Sequence, residues 1–227
     1  MNEHFDILNS VELFEGIEPS DLALMLDCVD AIIKGYSKGD ILMLAGSKPL
    51  NVGVVISGEI HISREDIDGN RSLIAVITPG QIFAEALCCA DVQKSPVTVT
   101  AGTGSSVMLL NFSRLLRTCT NSCAFHSRLI QNMLEVIAKK NLLLQNRMDI
   151  ISLKSIRAKI LRYLNTFSPQ QNREITIPFN REQLADFLCA DRSALSHELA
   201  RMKRDGLIEY RKNKFTVIQA QLISSNE

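Results

Sequence analysis

Arg192, Ser193, Ser196, His197 and Arg201 recur at spacings that place them along one side of a helix, while Leu195, Leu199 and Met202 take the other. A row of guanidinium, imidazole and hydroxyl groups is a set of donors suited to base edges and phosphate oxygens, and an Arg fork matches guanine O6 and N7. Further cations follow closely. Arg211, Lys212 and Lys214 surround Asn213 between two short apolar runs, Ile208–Tyr210 and Phe215–Ile218. That pattern reads as a hairpin with a basic tip, a wing able to lay cations over the phosphates that flank a groove. Arg181 completes the candidate DNA contacts.

The residues around this stripe are those needed to position it. Asn180 with Gln183 forms a capping box, and Leu184, Phe187 and Leu188 make a one-sided helix of about two turns. Ala185 is small enough for a second helix to cross closely. Cys189-Ala190 makes a tight turn, and Asp191 is an N-cap for the helix bearing the donors. Lys203-Arg204-Asp205-Gly206 supplies basic residues for its last turn and a glycine to end it. Helix, tight turn, helix and wing in this order predict a winged helix-turn-helix. A charged surface helix beside a charged loop would need none of the caps, spacing or small residue.

Upstream, residues 125–152 contain neither Gly nor Pro. Ile130, Ile137, Leu144 and Ile151 recur every seven residues, with Leu134, Asn141 and Met148 interleaved four residues after each. This is a coiled-coil seam of about three heptads, and the Asn within it can fix register and a two-stranded state. These seven residues are the predicted dimer interface. A second helix over Ser155–Phe167, a polar turn at Ser168–Asn172 and a short strand at Glu174–Ile177 lead to the capping box.

The first half has a different texture. Nine of the eleven glycines lie between Gly35 and Gly104, separating short apolar runs. Val54, Ile56, Ile60 and Ile62 take alternate positions around Gly58, and Leu73–Ile77 follows the turn signal Asp68-Gly69-Asn70. Alternation with frequent punctuation predicts an antiparallel roll or sandwich. Pro19-Ser20-Asp21 starts a preceding helix through Leu22, Met25 and Leu26.

Composition agrees with a folded, two-job chain. Of 227 residues, 46% are hydrophobic and 22% charged, which excludes wholesale disorder. No apolar run reaches the ~18–20 residues of a membrane span, so no membrane association is expected. Met1–Asp6 lacks a basic segment and does not read as a secretory signal; a cytoplasmic location is expected, with the six Cys as reduced thiols. Net charge is zero, yet residues 1–150 carry 12 Lys+Arg against 17 Asp+Glu and residues 151–227 carry 13 against 8. The basic part is expected to meet something anionic. No phosphate-cradling glycine loop, nucleophile elbow or metal spacing is present in the sequence, so no enzymatic activity is expected.

The chain resembles the Crp/Fnr family of bacterial transcription regulators over nearly its whole length. The residues that carry the likeness are Leu13-Phe14-Glu15-Gly16-Ile17, Gly39-Asp40 through Gly46, Gly58-Glu59 and Pro79-Gly80-Gln81-Ile82-Phe83-Ala84-Glu85-Ala86. The long helix and the winged helix-turn-helix ending Arg204-Asp205-Gly206-Leu207-Ile208 complete it. The resemblance implies an α+β chain in three parts. These are a cyclic-nucleotide-binding-like β-roll over 1–124, a dimerisation helix over 125–152 and a winged helix-turn-helix over 153–227. It also implies a homodimer that binds a palindromic operator in double-stranded DNA under small-molecule control, with RNA polymerase as a further partner.

The resemblance places the effector site at Ile82, Phe83, Ala84, Glu85, Ala86, Lys94 and Ser95. Family members that bind cyclic AMP use a Gly-Glu pair and, about ten residues on, an Arg-Ser pair. This chain keeps Glu85 but has Ala84 for the Gly and Lys94 for the Arg fork. The effector is therefore expected to be another small molecule, with cyclic AMP ranked behind it and no cofactor fixed by the sequence. A regulator with a vestigial pocket is one alternative. A redox or haem-type sensor is another, using Cys88–Cys89, Cys119 and Cys123, or an axial ligand such as His61 or His126. An iron–sulfur cluster is not expected, because no Cys precedes Cys28. Ser193 and His197 replace the Glu and Arg of the cyclic-AMP-type recognition helix, so a different half-site is expected.

Overall fold

The computed structural model describes residues 5–66, 68–116, 124–167 and 173–218. They form two compact units, Met1–Lys140 and Asn141–Glu227. The α+β architecture expected from the sequence is the one found.

The first unit opens with α1 (Phe5–Asn9), a 3-10 turn at Glu12–Phe14 and α2 (Pro19–Cys28). Eight strands follow: β1 (Ile32–Tyr36), β2 (Ile41–Met43), β3 (Asn51–Ser57), β4 (Ile60–Glu65), β5 (Arg71–Ile77), β6 (Ile82–Phe83), β7 (Thr98–Ala101) and β8 (Ser105–Asn111). Helix α3 (Glu85–Cys89) lies between β6 and β7, and α4 (Phe112–Leu115) follows β8. The strands make two antiparallel sheets, ordered β1-β8-β3-β6 and β2-β7-β4-β5. Tyr36, Val55, Ile60, Phe83, Val99, Ala101 and Val107 fill the space between them.

Strand β3 departs from simple alternation, since every residue from Val52 to Ile56 is buried. Val52, Val54 and Ile56 face a second core built with the N-terminal helices, while Val55 faces the roll interior. A strand covered on both faces loses its polar positions, and β4 also departs from alternation, with Ile60 and Ser63 buried on either side of a register shift at Ile62–Ser63. The β4–β5 turn was legible. Asp66 accepts from the Asn70 side-chain amide (3.1 Å) and from the backbone amides of Asn70 (2.8 Å) and Asp68 (2.9 Å), and these bonds, the Asn70 side chain first, hold its carboxyl below the usual range.

Helix α5 (Ala124–Ile151) runs to within a residue of its expected limits. Its first half belongs to the first unit, with Leu129, Met133 and Val136 buried in the core. Asn132, also buried, donates to the Leu13 carbonyl at 3.0 Å and the Glu15 carbonyl at 2.8 Å, clamping the helix to the 3-10 turn.

The second unit contains α6 (Ile156–Phe167), β9 (Glu174–Thr176), α7 (Arg181–Phe187), α8 (Arg192–Arg204), β10 (Ile208–Arg211) and β11 (Lys214–Val217). The three strands form an antiparallel sheet ordered β10-β11-β9. Its core joins Ile160 and Leu164 of α6 to Leu184 and Ala185 of α7, Leu195, Leu199 and Met202 of α8, and Phe215 of β11. The expected polar turn at Ser168–Asn172 lies outside the described residues. No helix in the described residues is long and apolar enough to cross a membrane.

Candidate functional site

Local hydrogen bonds set the two crossed helices. Asn180 Oδ1 accepts from the Gln183 amide and Gln183 Oε1 from the Asn180 amide, both at 2.9 Å, closing the capping box. The chain then reverses through Cys189, whose φ of 48° is in the left-handed region. Asp191 caps α8 by accepting from the Ala194 amide at 2.9 Å and the Ser193 hydroxyl at 2.5 Å, and its carboxyl is held below the ordinary range by those bonds.

Helix α8 is anchored from behind. Arg157 of α6 donates to Glu198 at 2.6 Å and to Asp205 at 2.7 Å, so both acids on the rear of the helix are neutralised. Lys159 donates to the Leu188 carbonyl at 3.1 Å. The front face is left to solvent, with Arg192, Ser193, Ser196, His197 and Arg201 all exposed. The Ser193 and Ser196 hydroxyls donate locally, to Asp191 and to the Arg192 carbonyl. The side chains of Arg192, His197 and Arg201 have no ion pair or hydrogen bond among the described residues.

The wing divides its cations into committed and uncommitted ones. Lys214 pairs with Glu174 at 2.8 Å, whereas Arg211 and Lys212 are exposed and make no ion pair among the described residues. Arg181 is built into the wing base, over the rings of Tyr210 (5.1 Å) and Phe215 (5.7 Å), and donates to the Lys212 carbonyl at 3.4 Å. Asn213 Nδ2 donates to the Ile177 carbonyl at 3.1 Å and pins the tip. The structure therefore brings together eight of the nine residues read as DNA contacts on exposed positions, with Arg181 half-buried among aromatic rings.

The seven residues read as an effector site are brought together less well. Ala84, with φ of 64°, is the N-cap of α3. Glu85 is 5% exposed, and Lys140 of α5 neutralises it at 2.6 Å while also donating to the Ile82 carbonyl at 3.2 Å. Ile82 is buried in the core shared with the N-terminal helices. Phe83 closes the roll interior, its ring so near Gly53 that a Cβ there would collide with it. Ala86 and Lys94 are exposed. Ser95 is buried, and its hydroxyl donates to the Val97 carbonyl at 2.7 Å within its own turn.

A cavity of about 370 Å³ does open beside this segment. It is lined by Ile41, Met43, Leu44, Leu50 and Leu109 together with Phe83 and Ala84, and Lys48 stands at its edge. Cys88 is pushed up to about 11, and Cys89 is raised, chiefly by burial; neither thiol is set up as a ready thiolate. Cys119 and Cys123 lie outside the described residues. His61 is half-buried at 3.9 Å from Glu59, and His126 is buried with neither ring nitrogen hydrogen-bonded among the described residues.

Of the predicted dimer seam, Leu134, Leu144 and Met148 are 64%, 61% and 65% exposed. Asn141 is exposed too, whereas Ile130, Ile137 and Ile151 are half-buried. Ile130 and Ile137 rest against the first unit's core.

Lys48, Asn132, Lys140 and Arg157 were not singled out from the sequence. The partners of Asn132 are 119 and 117 residues away, that of Lys140 is 55, and those of Arg157 are 41 and 48, so no local pattern marks them.

The family model for the cyclic nucleotide-binding domain matches residues 33–122, and that for the Crp-like helix-turn-helix domain matches residues 158–222. The chain is 22% identical over 210 residues to the CRP-like cAMP-activated global transcriptional regulator of Mycobacterium tuberculosis, covering 89% of this chain and 90% of that protein. Its fold is similar to that of DNR from Pseudomonas aeruginosa, at 20% identity and a TM-score of 0.52 over 97% of this chain and 96% of that one. It is also similar to the c-di-GMP responsive global regulator CLP of Xanthomonas campestris, at 16% identity and a TM-score of 0.56 over 89% and 100% of the two chains. With both matched domains in this order, the chain belongs to the Crp/Fnr family of transcription regulators.

Proposed function

We propose that the protein is a homodimeric, sequence-specific DNA-binding regulator whose affinity for a palindromic operator is set by a small molecule bound in the β-roll. The observation that carries the reading is the front of α8, where Arg192, His197 and Arg201 are exposed while the acids behind them are neutralised by Arg157. Uncommitted donors on a helix, flanked by a basic wing, are what major-groove readout with phosphate anchoring requires. Arg192 and His197 take base edges in this reading, Ser193, Ser196 and Arg201 flank them, and Arg211 and Lys212 take phosphates.

The exposed apolar residues of α5 support dimerisation. Leu134, Leu144 and Met148 lie in one seam in water, and a second copy of the helix would bury them around Asn141. The three-part division at 124 and 152 then acquires a functional meaning, with α5 as the element through which the roll and the winged helix communicate. Cytoplasmic action and contact with RNA polymerase belong to the same proposal, supported by the family likeness.

The effector is not expected to be cyclic AMP. Glu85 is already paired with Lys140, Ser95 bonds its own turn, and Lys94 is exposed. Selection from random duplexes, with sedimentation of the free protein, tests the whole reading. It should yield a two-fold symmetric sequence with half-sites about 34 Å apart, bound by a dimer. A monomer, or enrichment without symmetry, would overturn it.

A further inference from the structure

Within the effector-control reading above, on which this inference rests, we propose that the cavity beside β2 and β8 is the effector seat. We infer that it takes a small apolar anion, a medium-chain or aromatic carboxylate whose head pairs with Lys48. Its volume, about 370 Å³, is at the lower end of the ~300–1,000 Å³ found for ligand pockets, so the ligand is compact. Its walls are mostly hydrocarbon, with Ser47, Lys48 and Asn51 as the polar lining side chains. Ile41, Leu44 and Leu50, all lining residues, are 56%, 56% and 62% exposed, a concentration of large apolar side chains in water that a ligand would cover.

The polar groups at this cavity restrict the ligand further. Lys48 is the single ionisable side chain among the lining residues. It is held at 3.0 Å by Asp91, whose side chain is 77% exposed and can return to water when a ligand carboxylate replaces it. The Ser47 hydroxyl donates to the Leu44 carbonyl, which leaves the Asn51 amide as the other uncharged polar side chain among the lining residues. A cyclic nucleotide would need an acceptor for its ribose hydroxyl and a cation for its phosphate. The family positions for those groups, Glu85 and Lys94, do not line this cavity. One cation over apolar walls is instead complementary to a single negative head on an apolar body.

The chain has no Trp, so binding is read with anilinonaphthalene sulfonate, itself an apolar anion, on the full-length protein. Decanoate should displace the dye with one site per chain. Lys48→Gln should weaken decanoate by roughly three- to tenfold and leave decanol unchanged, as loss of a partly exposed ion pair predicts. Asp91→Asn should tighten decanoate by removing its competitor. Met43→Trp, checked for folding by circular dichroism, should abolish binding of both.

No decanoate binding, an indifferent Lys48→Gln or displacement of the dye by cyclic AMP overturns the proposal. So does dye release on raising protein concentration alone, which would assign the groove to a second copy. Operator affinity measured on the same samples separates the two levels of inference. Decanoate binding that leaves DNA affinity unchanged preserves the site and overturns effector control. DNA affinity that responds to another added molecule while decanoate is inert preserves effector control and overturns this ligand class.

Discussion

The β-roll and the winged helix carry charges of similar kinds and use them in opposite ways. In the roll, two of the groups that the family would turn toward a nucleotide, Glu85 and Ser95, are satisfied by the protein itself. Glu85 is neutralised by Lys140, and Ser95 is bonded within its turn. In the winged helix Glu198 and Asp205 are neutralised from behind by Arg157, and Arg192, Arg201, Arg211 and Lys212 remain unpaired among the described residues. A charge already paired inside the fold contributes to stability, and one left unpaired at the surface is available to a partner. The same residue types therefore make a structural latch in one unit and a recognition surface in the other.

The sharpest way to break this contrast is to remove one partner from each unit. Lys140→Ala leaves a buried carboxylate without its cation, and should lower the stability of the first unit by about 2–4 kcal/mol in urea denaturation. The double variant Glu85→Gln/Lys140→Met should recover most of that loss. Unchanged stability in Lys140→Ala alone would mean that Glu85 had another partner. Arg192→Ala should leave stability unchanged and cost about 1–3 kcal/mol in operator affinity, confined to one base position. If its loss is the same on every sequence, Arg192 reads phosphate and not base.

Two turns sharpen the comparison at backbone level. Ala84 before α3 and Cys189 before α8 both hold positive φ without being glycine. Ala84→Gly and Cys189→Gly should each raise the thermal midpoint of their unit, by an amount equivalent to about 0.5–1 kcal/mol. A rise in only one would show that the other turn is held by packing that the added freedom undoes.

The wing gives a smaller effect. Lys212→Ala should weaken all duplexes alike and reduce the slope of log affinity against log salt by about 1, and Lys214→Ala by less, because Glu174 already partners it. Smallest is the acid response of the α8 cap. The folded-state Asp191 carboxyl is held below its ordinary value, first by the Ser193 hydroxyl, so its contribution is full above that value and is lost as pH falls through the lowered one. Asp191→Asn should remove that acid dependence from the helix signal of the second unit.

Much of this was written in short-range pattern. The run of 125–152 without Gly or Pro, carrying the apolar repeat from Ile130 to Ile151, predicts α5 to within a residue at each end, because a helix is specified by neighbours three and four positions away. The capping box at Asn180 and Gln183, the Asp191 cap and the turn after Asp66 were equally local. So was the exposed stripe of α8, since one buried face on a helix determines the other.

The effector segment was legible only in part, for a physical reason. The resemblance grouped Ile82 through Ala86 with Lys94 and Ser95, but whether Glu85 faces a ligand depends on Lys140, 55 residues downstream. Burial of β3 on both faces likewise required a second core that alternation along one strand cannot reveal. Arg181 is among the DNA contacts expected from the sequence, and the rings of Tyr210 and Phe215 that half-bury it come from the wing strands β10 and β11, about 30 residues on.

The sequence by itself determined the order of elements, their caps and which helix face is polar, because these depend on neighbours within a turn or a strand pair. Only the tertiary structure decided which charges are consumed and which are free, and where an apolar cavity remains. Those depend on residues distant in the chain meeting in space, and ion pairs and burial are settled only when they do.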